Sequence, residues 1–476
     1  RGIFWDFLGK MLSQGFSFIA SIFLARLLLP DDFGLVAIAL VFINISQIFI
    51  DVGFGAALIQ KKEVSAKLYS SVFWLNLASG LILTFLFYTL SYWIGKLYDL
   101  PQLATVLQFF SLAFIINSLG VIQRVQMIRQ MNFKSLSIIS GIATILSGTI
   151  AVLIAFYTKS YWALVVQQLS LFSFTTLLLW IFNKWRPHNH FSVKDLKSIW
   201  GFSSRVFFDG IFTNIINSAD TILIGKIFPT YSLGLYNRAK SLSELVRSYS
   251  SSGITNVVFP AISKIQGQKE NVVKLFHKMN ASISVFSVGL AFILFLFSKP
   301  LILILYTAKW EGSILFFQIL ILSSFLHPIN SISLNTLNGL GFIKTTFRIG
   351  LVKKAIRLTI FFIAIYLGLQ YFAIFISISI FINFLLNAYA VKRKIGIHFS
   401  DQVKPIALNV LFAIISYLVT ISLAFLIDIN YYLLVNIQLV LSVSIYIGMQ
   451  YYFNSTIFTY WTKKISAKIS YVFQKK

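Results

Sequence analysis

Apolar residues run in fourteen blocks, each about as long as the roughly 20 residues a helix needs to cross a bilayer core of about 30 Å. They lie near 7–29, 34–52, 72–95, 104–122, 135–157, 161–183, 205–227, 241–262, 279–299, 314–339, 350–369, 371–390, 405–427 and 430–453. Each block predicts a spanning helix, because backbone groups in lipid must be satisfied within their own segment. The eighth is polar and serine-rich, and the eleventh and twelfth are nearly contiguous. The first is longer than a signal-peptide core and has no small-residue cleavage pattern after it, so it reads as a retained span. The longest connections, near 185–204 and 263–278, are too short to fold as domains.

Composition fits that pattern. The 476 residues are 58% hydrophobic and 11% charged, with mean hydropathy +0.82. A soluble chain carries about a quarter charged residues, so a soluble enzyme is excluded, and disorder is excluded by the same numbers. The absence of cysteine removes disulfides, thiolate metal sites and a Cys nucleophile. No G-x-x-x-x-G-K-[ST], H-E-x-x-H or G-x-S-x-G occurs. The net charge of +26 would suggest nucleic acid in a soluble protein. Here it follows the positive-inside bias, and no nucleic-acid partner is expected. Of 40 Lys and Arg, 29 sit at one set of span ends, while Arg26, Lys96, Lys159, Lys226, Lys299 and Lys309 mark the opposite set. That alternation predicts both termini in the cytoplasm.

An internal repeat emerges at a constant offset of 200 residues. ARLLLPDDFGLVAIA at 25–39 matches GKIFPTYSLGLYNRA at 225–239, bringing Arg26 onto Lys226, Gly34 onto Gly234 and Ala39 onto Ala239. Six spans separate the copies, so both insert in one orientation, and the expected relation is a pseudo-twofold along the membrane normal. The expected organisation is an N-lobe at 1–184 (spans 1–6), a cytoplasmic linker at 185–204 and a C-lobe at 205–394 (spans 7–12). Spans 13–14 and a basic tail at 395–476 complete the chain as an appendage.

Polar groups inside a bilayer are costly and mark functional paths. At 100° per residue, Gln14 joins a serine-rich face of span 1, while Asn44, Gln47 and Asp51 share a face of span 2. Span 7 aligns Arg205, Asp209, Asn217 and Asp220, span 8 aligns Lys240, Glu244 and Arg247, and span 11 stacks Lys353 on Arg357. The stripes concentrate in spans 1, 2, 7 and 8, so a single cavity lined by two lobes is expected. Its cations (Arg247, Arg205, Lys240, Arg357) suit phosphate, which a guanidinium fork binds bidentately. Its carboxylates (Asp51, Asp209, Asp220, Glu244) suit ion coupling. The alternative is pairing along each helix, Arg205 with Asp209 and Glu244 with Arg247. His327 reads as a helix–helix hydrogen-bond partner.

The opening FWDFLGKMLSQGFSFIASIFLARLLLPDDFGLVAIA resembles the first hairpin of Wzx-type lipid-linked oligosaccharide flippases, the polysaccharide transporters of the MOP (MATE-like) exporter superfamily. DVGFGAALIQ at 51–60, QRVQMIRQMNFK at 123–134, ADTILIGKIFPTYSLGLYNRA at 219–239, VVFPAISKIQ at 257–266 and LNTLNGLGFIKT at 334–345 extend the resemblance along the chain. It implies an all-α polytopic membrane protein with two six-helix lobes and two C-terminal helices. It also implies transfer of an undecaprenyl-diphosphate-linked oligosaccharide (O-antigen, capsule or exopolysaccharide) to the outer leaflet of the bacterial inner membrane by alternating access. Arg26 matches the family's first-hairpin cation. No cofactor is expected, the coupling ion is H⁺ or Na⁺, and the implied partners are the glycan lipid, the bilayer and polysaccharide polymerase or export machinery. Two other readings stand beside it: a cation-coupled multidrug exporter, and a membrane enzyme acting on lipid-linked sugars. The basic excess opposes the first, and the short outward loops oppose the second.

Overall fold

The computed structural model describes residues 2–424 and 431–453, with the side chains of 2–8, 10, 249–257, 423–424, 431–433 and 435 outside the description. The expected basic tail beyond 453 therefore lies outside the described residues. The described chain is helical throughout, with no strand. The first half runs α1 (Gly2–Leu27), α2 (Pro30–Asp51), α3 (Phe54–Gln60), α4 (Ala66–Leu97), α5 (Pro101–Arg129), α6 (Phe133–Thr158) and α7 (Trp162–Phe182). The second runs α8 (Val193–Ile227), α9 (Thr230–Lys264), α10 (Lys269–Leu296), α11 (Ser298–Tyr306), α12 (Ser313–Ser324), α13 (Leu326–Gly339), α14 (Ile343–Leu367), α15 (Leu369–Ile395), α16 (Phe399–Ala424) and α17 (Tyr431–Phe453).

Every expected span coincides with a helix. Among the described residues, nine are long and apolar enough to cross a bilayer: α2, α4, α5, α6, α7, α10, the α12–α13 pair, α15 and α16. The other five expected spans fall on α1, α8, α9, α14 and α17, and the first four of these, with α2, carry the polar stripes. The tenth span is broken at Phe325, three residues before Pro328, whose missing N–H and ring deny a helix partner to the carbonyl of Ser324. The expected linker at 185–204 is helical from Val193, where Ser192 Oγ accepts the Asp195 N–H at 3.2 Å as an N-cap.

Packing divides the chain into two compact units, Arg1–Asn237 with Leu305–Trp310, and Arg238–Ile304 with Glu311–Lys476. In the first, α4 lies along α5, α6 joins α1 to α7, and α8 packs on α2, α3 and α4. The seventh span thus belongs to the first packing unit, whereas the sequence repeat groups it with spans 8–12. In the second, α10 and α13 pack together, α15 joins α12, α13 and α14, and α16 lies on α10 and α17. One core gathers Val258, Phe276, Ile332 and Val391, all at most 1% exposed.

Two glycines in the first unit give the 200-residue offset a spatial meaning. A Cβ on Gly34 would stand 2.0 Å from the Thr230 carbonyl oxygen, and one on Gly234 would stand 1.9 Å from that of Pro30. Pro30 and Thr230 are themselves 200 apart. Each copy therefore touches the other with the same surface, the signature of a local twofold. The chain entering α2 suits such an approach, with Pro30 in the first turn and Asp32 Oδ2 accepting the Leu29 N–H at 2.9 Å.

Candidate functional site

The second unit holds a polar cavity of about 280 Å³ within its membrane helices. Arg247 and Ser248 enter it from α9, His327, Asn330 and Ser331 from α13, Lys353 from α14, and Asn383 and Asn387 from α15. Four helices thus converge with cations, amides and hydroxyls around one apolar side chain, Leu334. The break before α13 presents His327 and Asn330 one turn apart at the start of a helix.

The cations are held in defined ways. Lys353 Nζ donates to Asn387 Oδ1 at 2.6 Å, and Asn387 Nδ2 donates onward to Asn330 Oδ1 at 2.7 Å. Asn387 is only 3% exposed, so this relay fixes the ammonium at the cavity wall. Arg247 forms an ion pair with Glu244 one turn back on α9, and both side chains remain more than 40% exposed. Arg357 lies with its guanidinium carbon 5.3 Å from the centre of the Phe361 ring, a cation–π placement on its own helix. Among the described residues that line or flank the cavity, Arg247, Lys353 and Arg357 outnumber the carboxylate of Glu244.

The remaining predicted residues are dispersed. Lys240 is half-buried on α9, one and two turns before Glu244 and Arg247. In the first unit, Gln14, Asn44, Arg205, Asp209 and Asn217 are exposed or half-buried, as is Gln47. Ser13, beside Gln14, instead meets Ser140 of α6 at 3.0 Å, so part of the α1 stripe is a packing seam. Asp220 is fully buried and accepts the Tyr236 hydroxyl at 2.7 Å, tying α8 to α9. Asp51 caps α3: its two oxygens accept the Gly55 N–H at 2.8 and 3.0 Å. Arg26 donates from Nε to the Leu305 carbonyl at 3.0 Å.

Sequence reasoning missed the amides. Asn383 and Asn387 stand four apart in the twelfth span, a spacing that places both on one face. Lys353 counts among the cytoplasmic cations by charge bias and stacks on Arg357 by helical spacing, but sequence reasoning did not place it in the cavity.

An all-helical bundle with a basic, amide-lined cavity inside its spanning helices defines a multi-pass membrane carrier. The fold matches a solved structure of the lipid II flippase MurJ in an inward closed conformation, with a TM-score of 0.76 over 95% of this chain and 99% of that one at 15% identity. A family model described as "Polysaccharide biosynthesis protein" matches residues 23–315, and the chain belongs to that family. Among curated relatives, it is 26% identical over 337 residues to the lipopolysaccharide biosynthesis protein WzxC of Escherichia coli (strain K12). It is 24% identical over 310 residues to the succinoglycan biosynthesis transport protein ExoT of Rhizobium meliloti (strain 1021). These alignments take in 70% and 65% of this chain, and 68% and 63% of the relatives' lengths.

Proposed function

We propose that the protein is a flippase that carries a polyprenyl-diphosphate-linked oligosaccharide from the inner to the outer leaflet of the bacterial inner membrane by alternating access. The observation that carries the reading is the cavity of the second unit, where Arg247 and Lys353 stand among asparagines and His327. A diphosphate crossing a membrane needs fixed cations, because an unpaired anion away from water is prohibitively costly. Arg247 offers a bidentate fork, and Lys353 offers a point charge held in place by Asn387. The amides supply donors and acceptors suited to sugar hydroxyls. Family membership and the names of the relatives, one a biosynthesis transport protein, point the same way.

A cationic drug would meet the wrong sign of charge here, which disfavours a multidrug exporter. On the same reading Asp209 or Asp220 carries the coupling ion, H⁺ or Na⁺, both termini face the cytoplasm, and the product passes to the polysaccharide polymerase or export machinery. The test is a deletion strain assayed for lipid-linked repeat units on the cytoplasmic face. Their accumulation, reversed by the wild-type chain and not by Arg247→Ala at equal membrane abundance, is the expected result. A deletion that leaves their distribution unchanged would refute the reading.

A further inference from the structure

Two loops far apart in sequence make the same contact with opposite copies of the repeat. After α4, Lys226 Nζ donates to the Leu97 carbonyl and to the Asp99 carboxylate at 3.2 Å, and the Tyr98 hydroxyl donates to the Ile222 carbonyl at 3.3 Å. After α11, Arg26 Nε donates to the Leu305 carbonyl, and Trp310 Nε1 donates to the Ala25 carbonyl at 2.8 Å. Lys309 Nζ adds bonds to the carbonyls of Arg26 at 2.6 Å and Leu28 at 2.9 Å. The two contacts correspond at their cations. Arg26 and Lys226 are related by the offset of 200, and each reaches a leucine carbonyl in the last turn of a helix, where no helical N–H is available. Leu97 closes α4, the third span, and Leu305 lies in α11, the short helix that follows the ninth.

Each contact joins a buried aromatic to an exposed cation. Trp310 is fully buried and edge-on to Phe33 with ring centres 5.2 Å apart, and Tyr98 is 6% exposed and edge-on to Phe42 at 5.8 Å. Arg26 and Lys226 are exposed, so water can replace their bonds as they break. Leu305–Trp310 packs with the first unit, although the chain entering and leaving it belongs to the second. Between the two contacts, Gly34 and Gly234 cross with no room for a Cβ, and Thr230 Oγ1 donates to Asp31 Oδ1 at 2.7 Å.

The geometry points to a paired clasp: the loops after α4 and α11 hold the hairpins α1–α2 and α8–α9 shut at the end the charge bias assigns to the outside, and they release together when that side opens. This rests on the alternating-access function proposed for the chain, but its readout needs no substrate. The 476 residues contain no cysteine, so single thiols introduced among them report cleanly. Ala25→Cys places one beneath Trp310, and Ile222→Cys places one beneath Tyr98. Both are expected to react slowly with a membrane-impermeant maleimide added outside intact cells. Adding Gly234→Ala, which removes the close crossing, is expected to speed both by about tenfold, as a shift in the open population does. Lys226→Ala is expected to speed the distant Ala25→Cys site as well as its own. Unchanged labelling, labelling confined to the mutated clasp, or labelling only from the cytoplasmic side would overturn the proposal.

A second measurement keeps it falsifiable where a variant folds poorly. Oxidative crosslinking of an Asp31→Cys, Thr230→Cys pair is expected to stop transport, and reductant is expected to restore it. A crosslinked protein that still transports would also overturn the clasp. If the thiols behave as expected while a deletion strain accumulates no lipid-linked glycan, the clasp stands and the assigned substrate falls.

Discussion

Arg247 has two demands on it, and its neighbours separate them. It pairs with Glu244 along α9, yet its guanidinium also lines the cavity that holds Lys353 and His327. An exposed pair one turn apart contributes only about 0.3–0.5 kcal/mol, so the pair alone gives little reason for a charge inside a spanning helix. Arg247→Lys keeps the charge and loses the fork, and is expected to reduce glycan-lipid transport about tenfold or more with membrane abundance unchanged. Glu244→Gln is expected to be milder, because it frees the guanidinium for an anion. Transport assays on both at matched protein levels check this: if Glu244→Gln abolishes transport and Arg247→Lys does not, the pair is the functional unit. Lys353 offers a sharper version. Asn387→Leu removes the acceptor that fixes the ammonium, so it is expected to weaken substrate capture while Lys353 itself is intact. Wild-type transport by Asn387→Leu would show that the relay positions nothing.

At the scale of single elements, the α2–α3 turn shows local sequence and tertiary packing acting on one residue. Val52 and Gly53 both adopt left-handed backbone, with φ of 49° and 78°, and Asp51 closes the turn by capping α3. A Cβ on Gly53 would also stand 2.4 Å from the Ser203 carbonyl oxygen of α8. Gly53→Ala therefore meets a left-handed strain of about 1–2 kcal/mol and a backbone clash besides. A clear fall in thermal stability in detergent is expected, with Gly15→Ala, which meets nothing within 4 Å, as the unaffected control. Equal melting temperatures for the two would refute the packing argument. This turn also shows what a sequence conceals. The span positions were legible because bilayer thickness sets helix length. The short α3 and α11 were not, since neither is long enough to produce a periodic signal. Asp51 reads as a cavity carboxylate in the sequence because its helical face is evident there and its partner, an N–H four residues on beyond a sharp turn, is not. Arg247 was legible as one cation of the polar stripe in span 8. The amides beside it were not, because Asn330, Asn383 and Asn387 come together only through the packing of α13 on α15.

At the scale of the whole chain, the last two helices test whether the bundle is six plus six with an addition. Sequence suggests an appendage, but in the second unit α16 and α17 are joined to α10 by a polar seam. Asn409 Nδ2 donates to Ser284 Oγ at 2.8 Å, Gln450 Nε2 to Asn409 Oδ1 at 2.5 Å, and the Tyr446 hydroxyl to the Val285 carbonyl at 3.0 Å. Asn280 Nδ2 donates to the Gln402 carbonyl at 2.9 Å. Asn280, Asn409 and Gln450 are each at most 2% exposed, so lipid reaches none of them. Removing α16 and α17 would turn Asn280 and Ser284 toward hydrocarbon, where each lost bond costs about 1–3 kcal/mol. A chain ending at residue 398 is therefore expected not to accumulate in the membrane. The milder probe is Asn409→Leu, which strips a partner from both Ser284 and Gln450 and is expected to lower the melting temperature by several degrees, since about 1–3 kcal/mol is a large part of a marginal stability. Adding Ser284→Ala and Gln450→Leu removes the polar atoms that Asn409 had bonded and is expected to recover part of that loss, because apolar pairs of similar shape are nearly neutral replacements. A truncated chain that accumulates and transports normally would return these helices to the status of an appendage; recovery by the triple variant would identify the seam as the reason they are not.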